Sequence, residues 1–218
     1  MSACNWKKIV IGMLAVVAFT APRAGATTLS FTLDQDGCTG TCGAGPFGTV
    51  TLDDLGGSNF VHVDVTLTSG LGFVSTGAGN SIEFNLNGAL PAITGANISG
   101  LTSGFAWDGP DPSGAFGAFM YTIDCVVPTG CGAGGSSTNP GPLNFGVTLT
   151  GITLNSFVAN AGGYFFAADI MGSNGKTGLV AAKGPQTPNT PTVPEPASLA
   201  LLGTGLAFAA NRLRRAKA

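Results

Sequence analysis

The chain has 218 residues, 44% of them hydrophobic, and a formal net charge of −2 at pH 7. Its 35 glycines follow no three-residue period, which excludes collagen. Residues 27–193 hold ten acidic and two basic side chains, a net charge of −8, and a surface of that sign repels nucleic acid and anionic lipid while remaining compatible with neutral glycans or divalent cations.

The first 26 residues have the pattern of a secretory signal peptide. Lys7 and Lys8 form a positive start, residues 9–19 form an uncharged and mostly apolar run, and Ala24-Gly25-Ala26 supplies small residues for a signal peptidase. The apolar run is too short for an ordinary transmembrane helix. We therefore predict a signal helix, export, and cleavage between Ala26 and Thr27.

Residues 27–183 predict a single domain made of strands and turns. Residues 60–68 alternate, and we assign Phe60 and the valines at 61, 63 and 65 to one face and His62, Asp64 and Thr66 to the other. Similar runs occur at 28–33, 48–52, 81–86, 115–127, 143–150, 163–170 and 178–182. Eight or nine short strands predict an all-β, antiparallel β-sandwich, with a jelly roll as one form of it. The expected core anchors are Phe84, Phe116, Phe119, Phe145, Phe157, Phe165 and Phe166.

Four cysteines remain after the predicted export: Cys38, Cys42, Cys125 and Cys131. An even number in an oxidising compartment indicates two disulfides. The short spacings favour the pairs Cys38–Cys42 and Cys125–Cys131, each closing a small loop worth ~2 kcal/mol. Crossed pairs that join distant strands and a four-cysteine zinc site are the alternatives, although neither spacing is C-x-x-C.

The domain shows little that indicates catalysis. His62 is the only histidine, with Asp64 on the same strand face, and no G-x-S-x-G nucleophile motif is present. We therefore expect a protein that is not an enzyme and needs no cofactor. Two acidic pairs are weak calcium candidates, and Trp107 beside the second could stack on a sugar. These candidate metal ligands are Asp34 and Asp36, then Asp108 and Asp111.

The C-terminal segment combines a stiff linker, a short apolar helix and a basic end. Residues 184–196 contain five prolines, so residues 184–192 are predicted to be an extended linker. A helix over residues 197–213 would be ~25 Å long, short of the ~30 Å hydrocarbon core. Arg212, Arg214 and Arg215 would keep the far end in the cytoplasm. This marginal helix indicates temporary membrane retention, with a permanent single-pass anchor as the alternative.

Residues 193–218 resemble the PEP-CTERM sorting signal of exported proteins in Gram-negative bacteria. The resemblance is carried by Pro194-Glu195-Pro196, by the helix opening at Ala197-Ser198-Leu199 and by the arginine-rich end. It implies an exosortase-type enzyme as partner, cleavage near Pro194–Pro196, transient residence in the inner membrane, and transfer to the cell envelope or an exopolysaccharide matrix. It assigns no activity to the domain before it.

The sequence therefore predicts an exported, non-enzymatic surface or biofilm-matrix protein whose ectodomain is a β-sandwich. The first alternative is a carbohydrate-binding module, assisted by calcium in one version. The second is a secreted hydrolase with an unrecognised site. Nucleic acid is not an expected partner.

Overall fold

β-Strands joined by turns make up most of residues 26–77, 79–110 and 114–186, the part of the chain that the computed structural model describes. The two helices there are single 3-10 turns at Gly95–Asn97 and Leu154–Ser156. The all-β prediction is confirmed for these residues. None of their helices has the length and apolar character needed to cross a bilayer. The predicted signal helix and the predicted membrane helix at 197–213 lie outside the described residues.

Twelve strands are seen in the described residues, and all their ladders are antiparallel. They are β1 (Thr28–Leu33), β2 (Gln35–Asp36), β3 (Gly48–Asp53), β4 (Phe60–Leu67), β5 (Gly72–Phe73), β6 (Ile82–Phe84), β7 (Ile98–Ser99), β8 (Phe105–Gly109), β9 (Tyr121–Cys125), β10 (Leu143–Thr148), β11 (Phe166–Met171) and β12 (Thr177–Ala182).

The strands form two sheets. Sheet 1 has the order β1-β3-β4-β10-β7, and sheet 2 has the order β2-β12-β11-β6-β9-β8, with β5 also paired to β11. Phe145 of sheet 1 stacks on Phe84 of sheet 2 at 5.8 Å between ring centroids. Phe31 of sheet 1 meets Phe166 of sheet 2 edge-on at 4.9 Å. All four rings are fully buried, so the facing sides of the two sheets share one aromatic core. A jelly-roll topology stays a prediction.

The two sheets differ on their outward faces. Along β3 and β4 every second side chain is buried, the alternation of a sheet with one solvated face. Five of the six residues of β11 and of β12 are buried, because the outer face of sheet 2 is covered as well. Phe116 and Phe119 lie against Ala167, Leu179 and Ala181 on that face. Sheet 1 therefore offers the open, polar surface.

Three sequence-based expectations differ from the structure. Residues 115–120 form no strand and instead cover sheet 2, so Phe116 and Phe119 anchor a separate cluster outside the main core. Phe165 is half-buried at the edge of the core, 5.2 Å from the Phe31 ring. Phe60 shares the outward face of β4 with His62, because alternation from the buried Val61 places it there. The other anchors, Phe84, Phe145, Phe157 and Phe166, are buried in the main core.

Candidate functional site

The outward face of sheet 1 carries a field of hydroxyl groups, which we call the hydroxyl face. Cross-strand pairing sets Thr32 beside Thr49 and Thr49 beside Thr66. In the next row, Ser30 lies beside Thr51 and Thr51 beside Asp64. All of these residues except Ser30 line an open groove of about 410 Å³, together with Pro46 and Thr68. The hydroxyl face consists of Ser30, Thr32, Thr49, Thr51, Asp64 and Thr66.

Hydrogen bonds fix part of this face and leave part of it open to ligands. Thr66 Oγ1 donates to Asp64 Oδ1 at 2.7 Å, and Thr68 Oγ1 donates to the Pro46 carbonyl at 2.7 Å. Gly48 is in the buried register of β3, where a Cβ would lie 2.6 Å from the Thr66 carbonyl oxygen, so β3 and β4 approach closely at this end. Asp64 is the one charged residue lining the groove. The groove therefore suits a ligand that exchanges neutral hydrogen bonds.

His62 lies in a row of residues that crosses four strands of sheet 1. The row runs from Asp53 through His62 and Gly146 to Ser99 on four successive strands. The Phe60 ring lies over Gly146, where an added Cβ would be 2.6 Å from the ring Cζ and 3.0 Å from Ser99 Oγ. An aromatic ring therefore fills the space between the histidine and serine positions. This geometry disfavours a serine hydrolase at His62.

The acidic pair Asp34 and Asp36 is not brought together as a calcium loop. Asp36 Oδ1 accepts from the Cys38 N–H at 2.9 Å, and Oδ2 accepts from the Cys42 N–H at 3.0 Å and from Thr41 Oγ1. Burial tends to raise the pKa of Asp36, but these three hydrogen bonds together lower it below its ordinary value. Asp34 is exposed and accepts from Gln35. Asp36 therefore organises the Cys38–Cys42 turn.

The structure joins Cys38 to Cys42 and Cys125 to Cys131, with Cα separations of 5.5 and 5.6 Å. These are the local pairs that the short spacings favour, and they support that pairing over the crossed one. The Asp36 carboxylate and the Cys38 and Cys42 sulfurs lie within 4.8 Å of one another. Both sulfurs are consumed by the disulfide, so this cluster offers no thiolate to a metal.

Of the second acidic pair and its tryptophan, the structure describes Asp108 and Trp107. Asp108 is exposed on β8, and Asp111 lies outside the described residues. Trp107 is half-buried against the main core, 6.0 Å from the Tyr121 ring, and Gly95 lies close to its Cδ1. A sugar-stacking platform needs an open aromatic face, and neighbours on two sides leave little of this ring free.

A group of buried acids was missed by sequence reasoning. Glu83 and Asp169 have no exposed surface, and Asp124 is half-buried beside them on the covered face of sheet 2. Burial raises the pKa of Asp169 to about 6, against hydrogen bonds from Thr76 that lower it, and the Asp124 charge raises it further. Burial likewise raises the pKa of Asp124. The acids come from strands far apart in sequence, so no local pattern could reveal them.

The predicted cleavage point between Ala26 and Thr27 falls directly before β1, where both residues are exposed. At the other end, Pro185 and Gln186 pair with Phe31 and Ser30 of β1, although the sequence placed them in the linker. The sorting residues Pro194, Glu195 and Pro196 and the three arginines lie outside the described residues.

Residues 192–215 match the family model described as the PEP-CTERM protein-sorting motif. The chain carries a PEP-CTERM sorting motif. The PEP-CTERM match covers the Pro-Glu-Pro tripeptide, the apolar run and the arginine-rich end. It supports an exported protein that is sorted at the membrane and processed by an exosortase-type enzyme. Neither a curated protein nor a solved structure gives a significant match to the chain.

Proposed function

We propose that this protein is a non-enzymatic component of the cell surface or extracellular matrix, released from the inner membrane by exosortase cleavage at Pro194–Pro196. The PEP-CTERM motif at residues 192–215 is the observation that carries the proposal. The ectodomain agrees with it as a disulfide-linked β-sandwich, a construction suited to an oxidising exterior. In this proposal residues 1–26 are a removed signal peptide, and residues 197–213 hold the chain in the membrane until cleavage.

Alanine replacement of Pro194, Glu195 and Pro196 tests the sorting step. The variant should keep its membrane segment, escape cleavage, and accumulate in the inner membrane as a longer species on immunoblots. A matched variant with Pro188→Ala and Pro191→Ala alters the same proline-rich stretch and should be processed normally. Mass spectrometry of the wild-type envelope protein provides the decisive readout. Peptides containing Arg214 at full stoichiometry would show that the tail is permanent and would overturn the proposal.

The hydroxyl face supports carbohydrate binding as a second candidate function. A groove of about 410 Å³ lined by threonine hydroxyls presents both donors and acceptors, which match the hydroxyls of a neutral polysaccharide. The negative ectodomain disfavours anionic polymers. This site replaces Trp107 as the place where we expect a glycan to bind.

The test is a glycan array with the double variant Thr49→Val and Thr51→Val, which removes two hydroxyls while keeping side-chain volume. Loss of binding to a neutral glycan would support the candidate function. The matched control, Thr148→Val, changes an exposed threonine at the end of β10 and should bind normally. Equal binding by all three proteins, or binding that depends on Trp107, would refute the groove as the site.

A further inference from the structure

Three carboxylates lie side by side on the covered face of sheet 2, and we call them the acid clasp. They are Glu83 on β6, Asp124 on β9 and Asp169 on β11. These strands are neighbours in the order β11-β6-β9. Glu83 pairs in register with Ala167 and Thr122, and Asp169 and Asp124 follow two residues after those partners. Alternation therefore places all three side chains on the same face.

The three carboxylates hold two short segments that precede β6, and Asp124 contacts both of them. Thr76 donates to Asp169 Oδ2 from Oγ1 at 2.6 Å and from its N–H at 3.2 Å. The Asn80 N–H donates to Glu83 Oε1 at 3.0 Å. Asp124 accepts from Ser81 N–H and Oγ at 3.3 and 3.2 Å and from Ser75 Oγ at 3.3 Å. The clasp thus fixes residues 75–76 and 80–81 to the sheet.

Among the residues that the structure describes, no ion pair to a basic side chain is seen at Asp124 or Asp169. Apart from His62, which lies on sheet 1, residues 27–186 contain two basic side chains. These are Lys176 and Lys183, and both are exposed. Of the surrounding elements, β5, β12, the segment 114–120 and the loop 132–138 contain no titratable residue, whereas β8, which pairs with β9, carries the exposed Asp108. Asp169 Oδ1 is fully buried and has no hydrogen-bond partner among the described residues. The charge of Asp124 on the same face raises the pKa of Asp169.

We propose that the acid clasp is a proton-sensitive device, in which one proton held at Asp169 keeps residues 75–76 fixed to sheet 2 and loss of that proton loosens them. A neutral carboxyl group leaves no buried charge, and its second oxygen can still accept from Thr76. An ionised Asp169 needs water at Oδ1, which the closed arrangement excludes, and it is repelled by Asp124. This inference goes beyond the proposed function and does not depend on it.

The size of the effect follows from proton linkage. Asp169 titrates at a pKa of about 6 when it is closed in, and an opened carboxyl group would titrate at its ordinary value of about 3.9. Protonation then favours the closed arrangement about 10-fold more at pH 5 than at pH 7.5. The closed arrangement is therefore favoured as the pH falls through 6 and weakened as it rises.

Hydrogen exchange read by mass spectrometry tests this on the full chain purified in detergent. Peptides that include residues 75–76 should lose about 10-fold protection between pH 5 and pH 7.5, after correction for intrinsic exchange rates. Asp169→Asn, a neutral mimic of the protonated acid, should remove this pH dependence. Asp64→Asn, on the hydroxyl face, is the matched control and should retain it. Unchanged wild-type protection, or a 10-fold change that survives in Asp169→Asn, would overturn the proposal.

A direct titration keeps the test decisive if Asp169→Asn does not fold. Carbon-13 NMR of aspartate carboxyls in the wild-type chain should show one group with a midpoint near pH 6. Asp124→Asn should lower that midpoint, because it removes the neighbouring negative charge. If every aspartate in the wild-type chain titrates below pH 5, the acid clasp holds no proton at mildly acidic pH and the inference fails.

Discussion

Phe145→Ala is the sharpest test of the shared aromatic core. Phe145 has no exposed surface and stacks on Phe84 across the two sheets. Truncation of a phenylalanine that buries roughly 150 Å² of apolar area or more forfeits about 3–4 kcal/mol of transfer free energy. The residual cavity adds to this, in keeping with measured losses of about 3–5 kcal/mol for such changes. Since a domain's whole stability is about 5–15 kcal/mol, the variant should be severely destabilised.

The measurement is thermal unfolding of the full chain in detergent with both disulfides intact, followed by tryptophan fluorescence and by circular dichroism. The expected shift in melting temperature is about 6–20 °C, at about 2–4 °C per kcal/mol for a chain of this size. Phe60→Ala is the matched control, because this half-buried ring lies on the outward face over Gly146. It should cost about 1 kcal/mol. Equal losses for the two variants would refute the assignment of inward and outward faces in sheet 1.

The remaining predictions concern a close backbone approach and two carboxylates. Gly130→Ala should destabilise the domain by about 2 kcal/mol or more, because a Cβ there collides with the Gly104 carbonyl oxygen. In the same denaturation assay Gly88→Ala should be neutral, because a Cβ at residue 88 meets no atom within 4 Å. Asp36→Ala should cost about 1 kcal/mol at pH 7 and progressively less in strong acid, because a carboxylate with a lowered pKa contributes stability above its unfolded pKa and loses it as the pH falls through its folded pKa. An equal cost at pH 7 and in strong acid would contradict that reasoning. The pH dependence expected from Asp169 has the opposite sign, because its raised pKa makes the folded state bind a proton that the unfolded state has released. The free energy of unfolding of the wild-type protein should therefore fall by up to about 3 kcal/mol as the pH rises from 4 to 7. A melting curve that stays constant over that range would exclude the effect.

The sequence predicted correctly those features that depend on residues close together in the chain. The alternation of apolar and polar residues in β4 predicts a strand with one exposed face. The cysteine spacings of four and six residues favour the two disulfides that the structure forms. Sequence reasoning failed at Phe60, because an aromatic residue at the start of a strand was grouped with the inward valines. The strands β2 and β5 have two residues each, too few to carry a period.

The sites themselves depend on pairing between distant strands. The hydroxyl face needs the register of β1, β3 and β4, and the acid clasp brings together residues 83, 124 and 169. Single carboxylates in short strands give no sign that they will be neighbours. Of the strand predicted over residues 115–127, the structure forms only Tyr121–Cys125, and the apolar residues 116 and 119 instead pack on the covered face of sheet 2. The sorting motif was readable because its tripeptide, apolar run and basic end are contiguous.

The pairing of Pro185 and Gln186 with β1 has a mechanical consequence. This contact is antiparallel, with Pro185 opposite Phe31 and the Gln186 N–H bonded to the Ser30 carbonyl at 2.7 Å. The chain therefore leaves the domain in the direction of Thr28, beside the point where it enters. A force that pulls the two ends apart would break the hydrogen bonds of this contact one after another before the force reaches either sheet. A domain pulled at Thr27 and at the sorting tail would thus yield first at its margin, with its core intact.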